Sequence, residues 1–227
     1  LRWQHPEYGP LAPDQVIPLA EQTGLIKPLT LWVLEHAVQQ SVRWRQQGIE
    51  LNIAVNLSVY NLQDSEFASH LQQLLARYKV PPRLISLEIT ESAMMADPAR
   101  AKEILSYLDE MGVWLSVDDF GTGFSSLSHL KQLPVDELKI DKSFVMTMIE
   151  DDNDAVIVRS TIDLAHNLGL KVVAEGVENL EIWNLLEILR CDAAQGYYLS
   201  HPLSADQLQE WLASREIEPR TAIGKDS

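Results

Sequence analysis

The chain has 227 residues, 46% of them hydrophobic and 22% charged, with a formal net charge of −15. That apolar share implies an ordinary buried core rather than a disordered chain, while the acidity argues against nonspecific nucleic-acid binding, which needs a basic surface to displace counterions. The one cysteine excludes an internal disulfide, and no apolar run is long enough to cross a bilayer.

In chain order, Leu1-Arg2-Trp3 looks like the tail of an interrupted strand. Pro28 opens a helix whose core face carries Leu34, Ala37, Val38, Ser41 and Val42, and Gly48 stops it. Period-two alternation over residues 51–57 sets Leu51, Ile53, Val55 and Leu57 against Asn52, Ala54 and Asn56. A helix is expected from Ser65 to Tyr78. Leu84 to Thr90 alternates less cleanly, separating Leu87 and Ile89 from Ser86, Glu88 and Thr90. Asp97-Pro98 reads as a cap and first turn, followed by Ala101, Ile104, Leu105, Leu108 and Met111, with Gly112 as the stop. Val113, Leu115 and Val117 oppose Trp114, Ser116 and Asp118; Leu138 and Ile140 oppose Lys139 and Asp141. Asn153 opens a helix with Val156, Ile157, Thr161, Leu164 and Leu168, and Gly169 ends it. Val172 and Ala174 oppose Val173 and Glu175. Helices are expected from Asn179 to Leu189 and from Ser204 to Ala213, the latter with a Ser204/Gln207 capping box. Cys191 reads as a packing residue.

Strand and helix alternate, which argues for a parallel sheet with helical crossovers. Strands that are apolar on one face and turn polar at their ends favour a β/α barrel over an open sheet, whose strands meet helices on both faces. Only six strand-plus-helix units are complete, where a closed barrel of this type needs about eight strands. The expected fold is therefore α/β, a modified TIM-like barrel incomplete at its N-terminal end, over residues 1–214, with residues 215–227 as a flexible tail.

The six strands end in Asn56, Glu88, Asp118, Lys139, Glu175 and Gln195, at the end of a barrel where active groups sit. Asn56, Glu88, Asp118 and Asp119 offer the oxygen ligands that hard divalent ions prefer. Neighbours in a regular strand point oppositely, so both aspartates reach one site only if the backbone swings into the Gly121-Thr122-Gly123 loop. Two close ions would polarise a phosphate and activate a water. Lys139 lies over the same mouth, and Glu175 is either a ligand or the acceptor of the water's proton. Asp141 is placed to orient Lys139, and Glu178 and Gln195 to act as outer-shell or water-positioning groups. His5, His129 and His201 lack the spacing of a zinc site, and Ser125-Ser126 lacks a nucleophile-elbow context. Singly, each of these residues is as well explained as a turn, a cap or packing; their coincidence across six strands carries the functional reading.

Val55-Asn-Leu-Ser58, Leu87-Glu-Ile-Thr-Glu91, Asp118-Asp-Phe-Gly-Thr-Gly-Phe-Ser-Ser-Leu127, Leu138-Lys-Ile-Asp141, Val173-Ala-Glu-Gly-Val-Glu178 and Ala194-Gln-Gly-Tyr-Tyr-Leu199 resemble, in order and spacing, the EAL domain family. The resemblance runs through about Leu212. It implies a modified β/α barrel that hydrolyses cyclic di-GMP to linear pGpG with Mg2+ or Mn2+, in bacterial signalling. It further implies that Asn56, Glu88, Asp118 and Asp119 are metal ligands, that Glu175 is a ligand or base, and that Lys139 positions the water. Gln195 matches a polar site residue and Arg2 the arginine that meets the substrate phosphate. Glu91 and the Asp118–Leu127 loop match elements that couple dimerisation to metal binding, so a homodimer through the segment after Asp119 is expected. The family's eponymous glutamate would lie just upstream of Leu1, and its absence from the sequence is expected to cost activity. A noncatalytic cyclic di-GMP receptor is the alternative. The resemblance is compatible with upstream sensory or GGDEF-type domains and with a cytoplasmic domain, in a parent protein either free or membrane-anchored.

Overall fold

The computed structural model describes residues 3–123 and 127–214. It opens on a small antiparallel hairpin, β1 (Trp3–His5) and β2 (Gly9–Leu11), with Trp3 opposite Leu11. Trp3 thus pairs within a hairpin apart from the main sheet, and the other two residues of the expected strand tail, Leu1 and Arg2, lie outside the described residues. The hairpin closes because Gly9 turns with a positive φ of 71° and the His5 ring accepts the backbone N–H groups of Glu7 and Tyr8.

The main sheet has six parallel strands in sequence order: β3 (Ile53–Leu57), β4 (Ile85–Thr90), β5 (Trp114–Phe120), β6 (Glu137–Ile140), β7 (Lys171–Glu175) and β8 (Ala193–Gln195). The curled sheet forms half of a barrel, and β3 and β8 have no outer neighbour among the described residues. The expected α/β architecture of a modified TIM-like barrel is the observed fold. Its helices include α1 (Pro13–Gln22), α2 (Ile26–Gln46), α4 (Phe67–Tyr78), α6 (Pro98–Glu110), α9 (Asp152–Asn167), α10 (Leu180–Ile188) and α11 (Ala205–Ser214). Shorter ones directly follow strands, α3 (Val59–Leu62), α5 (Glu91–Ala96) and α8 (Lys142–Val145), and a further short one is α7 (Leu127–Leu130).

The alternation read from the sequence explains the layering. Val55, Leu57, Leu87, Ile89, Leu115, Val117, Leu138, Ile140, Val172 and Ala174 point outward and are buried with Leu34, Val38, Leu71, Leu105, Leu108, Val158 and Ile162 of the helices. Burying each Leu, Ile or Val side chain contributes about 1.5–3 kcal/mol, so the helical layer fixes the register of every strand. The other face of the sheet is left to polar groups. Three helix starts differ from expectation by a turn or less: α2 begins at Ile26, with Pro28 inside its first turn, α4 begins at Phe67 rather than Ser65, and α9 begins at Asp152 because Asp151, rather than Asn153, caps it. The Ser204/Gln207 capping box is formed. No described helix is long and apolar enough to cross a membrane. The expected tail lies outside the described residues.

Candidate active site

Inward-facing side chains at the C-terminal ends of the strands converge on Lys139. Its Nζ lies 2.8 Å from Glu88 Oε1, 3.1 Å from Asp118 Oδ1 and 2.5 Å from Glu175 Oε1. The four groups come from β6, β4, β5 and β7, and only a curled sheet brings the first and last of those strands to one ammonium. Lys139 itself is 4% exposed. Burial alone would lower its pKa, but the charges of Glu88, Asp118 and Glu175 outweigh burial and hold it above the usual lysine value. Glu175 is shifted upward, because burial outweighs the attraction of Lys139.

Both aspartates of the Asp118-Asp119 pair reach this region through a defect in the strand. The β5–β6 register shifts between Val117 and Phe120, and Asp119 adopts a left-handed conformation with φ of 53°. This bulge suspends the alternation that would send Asp119 away from Asp118. The swing expected in the Gly121–Gly123 loop occurs inside β5. One oxygen each of Asp118, Asp119 and Glu175 lies within 4.8 Å of the others. Hard oxygen donors at that spacing suit a divalent cation. Burial raises the Asp119 pKa, and the charges of Asp118 and Asp141 add to it.

Asn56 pairs in register with Glu88, and Gln195 with Glu175, so both flank the cluster along the sheet. Asp141 does not touch Lys139. Strand β6 ends at Ile140, and Asp141 instead caps α8, accepting the Ser143 N–H at 2.9 Å and the Ser143 hydroxyl. Burial opposes its ionisation, but those bonds, together with a hydrogen bond to Asp119 and the charge of Lys142, outweigh burial and hold its carboxyl low. Glu178 is exposed in the segment between β7 and α10 and forms no ion pair among the described residues. Glu91 is buried at 3% exposure and accepts the Gly121 N–H at 3.2 Å, with Gly123 pressed against its carboxylate. Arg2 and residues 124–126 of the loop lie outside the described residues.

Two polar elements escaped the sequence reading. Glu137, two residues before Lys139 on the same face, accepts the Ser116 hydroxyl at 2.9 Å, and burial raises its pKa. Its signal in the sequence is that Glu137 continues the polar side of the Lys139 alternation, one residue before Leu138. On the other flank, Ser58 donates to Glu21 Oε1 at 2.6 Å, tying the end of β3 to α1. A cavity of about 770 Å³ lies there, lined by Ile17, Leu29 and Val33 and reaching Asn56, Thr90 and Asp119.

The sequence matches the EAL domain family model over residues 1–202. The chain belongs to the EAL family. Cyclic di-GMP phosphodiesterase PA2567 of Pseudomonas aeruginosa is 37% identical to it over 212 residues, covering 93% of this chain and 36% of that protein. The bifunctional diguanylate cyclase/cyclic di-GMP phosphodiesterase MucR of the same organism is 44% identical over 209 residues, covering 92% of this chain and 30% of MucR. This EAL domain thus spans about a third of the length of these curated relatives. A solved structure described as the PaMucR phosphodiesterase in a c-di-GMP complex superposes with a TM-score of 0.88 at 43% identity, covering 91% of this chain and 84% of that one.

Proposed function

We propose that this EAL domain hydrolyses cyclic di-GMP to linear pGpG in a reaction that needs Mg2+ or Mn2+, with two ions held at the ends of β3, β4, β5 and β7. The observation that carries the reading is the convergence of Glu88, Asp118 and Glu175 on Lys139, with Asp119 turned to the same side by the bulge. Asn56, Glu88, Asp118, Asp119 and Glu175 would hold the ions. Bound there, they supply polarisation of the phosphodiester and a lowered pKa for the attacking water.

The chain's own groups do the rest. Lys139 keeps its proton and offers a positive charge to a phosphoryl oxygen that gains charge in the transition state. Where Glu175 does not ligate an ion, burial opposes its charge and its carboxylate takes a proton from water more readily than a solvated one does. Gln195, next to Glu175 in register, orients water or substrate through its amide. Arg2 meets a substrate phosphate. A homodimer through the segment after Asp119 belongs to the same reading, with Glu91 fixing the base of that segment.

The test is incubation with cyclic di-GMP and Mn2+, with nucleotides separated by ion-exchange chromatography. A form carrying the Glu-Ala-Leu stretch ahead of Leu1 is expected to yield pGpG, and chelation to abolish it. No product from that form sinks the hydrolytic reading, and tight binding without turnover would favour a receptor.

A further inference from the structure

We propose that Phe144 is a positioning residue for Asp119: its ring, carried on α8, presses on Gly121 and keeps the turn at the end of β5 where the Asp119 carboxylate reaches the same cation as Asp118 and Glu175. The inference deepens the metal-dependent reading above and rests on it. It starts from the backbone, since Asp119 has a φ of 53° that a residue with a side chain keeps only where its surroundings hold it there.

The turn itself is closed and stiff. Thr122 donates its hydroxyl to the Asp119 carbonyl oxygen at 2.9 Å and its N–H to the same oxygen at 3.4 Å, so Asp119 to Thr122 moves as one piece. Gly121 is the handle on that piece. Glu91 accepts its N–H from the β4 side, and from the β6 side Phe144 stands so near that a Cβ on Gly121 would meet the ring at 3.1 Å. Glu91 alone would leave the turn free to swing about one hydrogen bond; the ring removes that freedom.

The ring has a firm base. Val145 of α8 and the following Met148 are buried in the core, and Asp141 caps the helix. On its other flank α8 touches the residue after Glu175: a Cβ on Gly176 would sit 2.6 Å from Lys142 Cβ and 3.2 Å from Lys142 Cα. The short helix therefore stands between Gly121 and Gly176, across the end of β6, and sets how far the end of β5 lies from the end of β7. Phe144 offers no oxygen to an ion, so its effect on cation binding passes through the groups it places.

Mn2+ affinity, measured by calorimetry without substrate on the form that carries the Glu-Ala-Leu stretch, tests this in a double-mutant cycle with Asp119→Asn, which suits the left-handed backbone and removes the charge. Phe144→Ala is expected to weaken Mn2+ binding about tenfold with Asp119 present, as loss of a supporting group does at metal sites, and less than about twofold beside Asp119→Asn. Phe144→Leu keeps apolar bulk but shortens the reach to Gly121; it is expected to lose about threefold, again only with Asp119 present, and it carries the test if Phe144→Ala does not fold. Equal losses in both backgrounds would mean that the ring only stiffens the fold and would overturn the proposal. Unchanged affinity in Phe144→Ala, or in Phe144→Leu where it stands in, would overturn it too, and either result leaves the metal-dependent reading standing. An unmutated protein that binds no Mn2+ takes down both.

Discussion

Gly196 packs so closely against Val177 that a Cβ on the glycine would sit 2.1 Å from the Val177 carbonyl oxygen. Two hydrogen bonds bracket the contact, from Val177 N–H to Gln195 O and from Tyr198 N–H to Val177 O, both at 3.0 Å. The segments after β7 and β8 are thereby fastened together, and with them the neighbours Glu175 and Gln195. Gly196→Ala is expected to destabilise by about 3 kcal/mol, since backbone rather than a flexible side chain must yield. Gly169→Ala is the control: its φ is 78° but nothing lies within 4 Å, so only backbone strain of about 1 kcal/mol is expected. Thermal melts of the two variants should differ by several degrees, and similar melting temperatures would refute the fastening role.

Asp119 combines a functional position with an unfavourable backbone, its φ of 53° being one that glycine adopts at no cost. Asp119→Gly should raise the stability of the metal-free protein by about 0.5–1 kcal/mol while lowering Mn2+ affinity and turnover. Asp118→Asn should also impair cation binding and turnover more than folding, because its Oδ1 is shared by Lys139 and the Asp119 N–H and an amide oxygen can keep the latter. Denaturant melts beside calorimetry check both. A destabilised Asp119→Gly would mean that its carboxylate outweighs the strain, and near-normal activity in Asp118→Asn would remove that residue from the ligand set.

Much of this was readable beforehand, for a physical reason. The outward positions Leu115, Val117, Leu138 and Ile140 must bury against helices, so their alternation is strict and the inward polar ends stand out. What stayed hidden depends on contacts between distant segments. The bulge at Asp119 arises from how β5 pairs with β6, and nothing in two adjacent aspartates announces it. Gly196 looks like an ordinary turn glycine until Val177 is laid against it. Asp141 alternates correctly with Lys139, but the strand ends one residue earlier and the aspartate becomes a helix cap.

Glu91 is a buried carboxylate beneath a glycine loop, with Gly121 donating to it and Gly123 too close to carry a side chain. Glu91→Ala leaves the Gly121 N–H without its acceptor and opens space under the loop, at an expected cost of about 1–3 kcal/mol. Amide exchange at Gly121 should accelerate more than at residues of β5. Unchanged exchange there, together with unchanged activity, would strip Glu91 of its role in ordering the loop.

At the opposite end of the strands, Asp192 accepts Lys171 Nζ at 2.7 Å and the Val172 N–H at 3.0 Å, with His166 Nε2 at 2.9 Å. Burial works against its ionisation, but the hydrogen bonds from Lys171, His166 and Val172 outweigh burial and hold its pKa below the ordinary value. A carboxylate depressed in the folded state stabilises at pH above its unfolded value of about 3.9, and that stabilisation fades as pH falls through the lower folded value. Asp192→Asn should therefore lower stability at about pH 7 and above, with the gap to the unmutated protein narrowing steadily once pH drops under about 4. Denaturant unfolding of both proteins across that range measures the gap. If it keeps its full size at the acid end, the ionised carboxylate is not what joins the starts of β7 and β8.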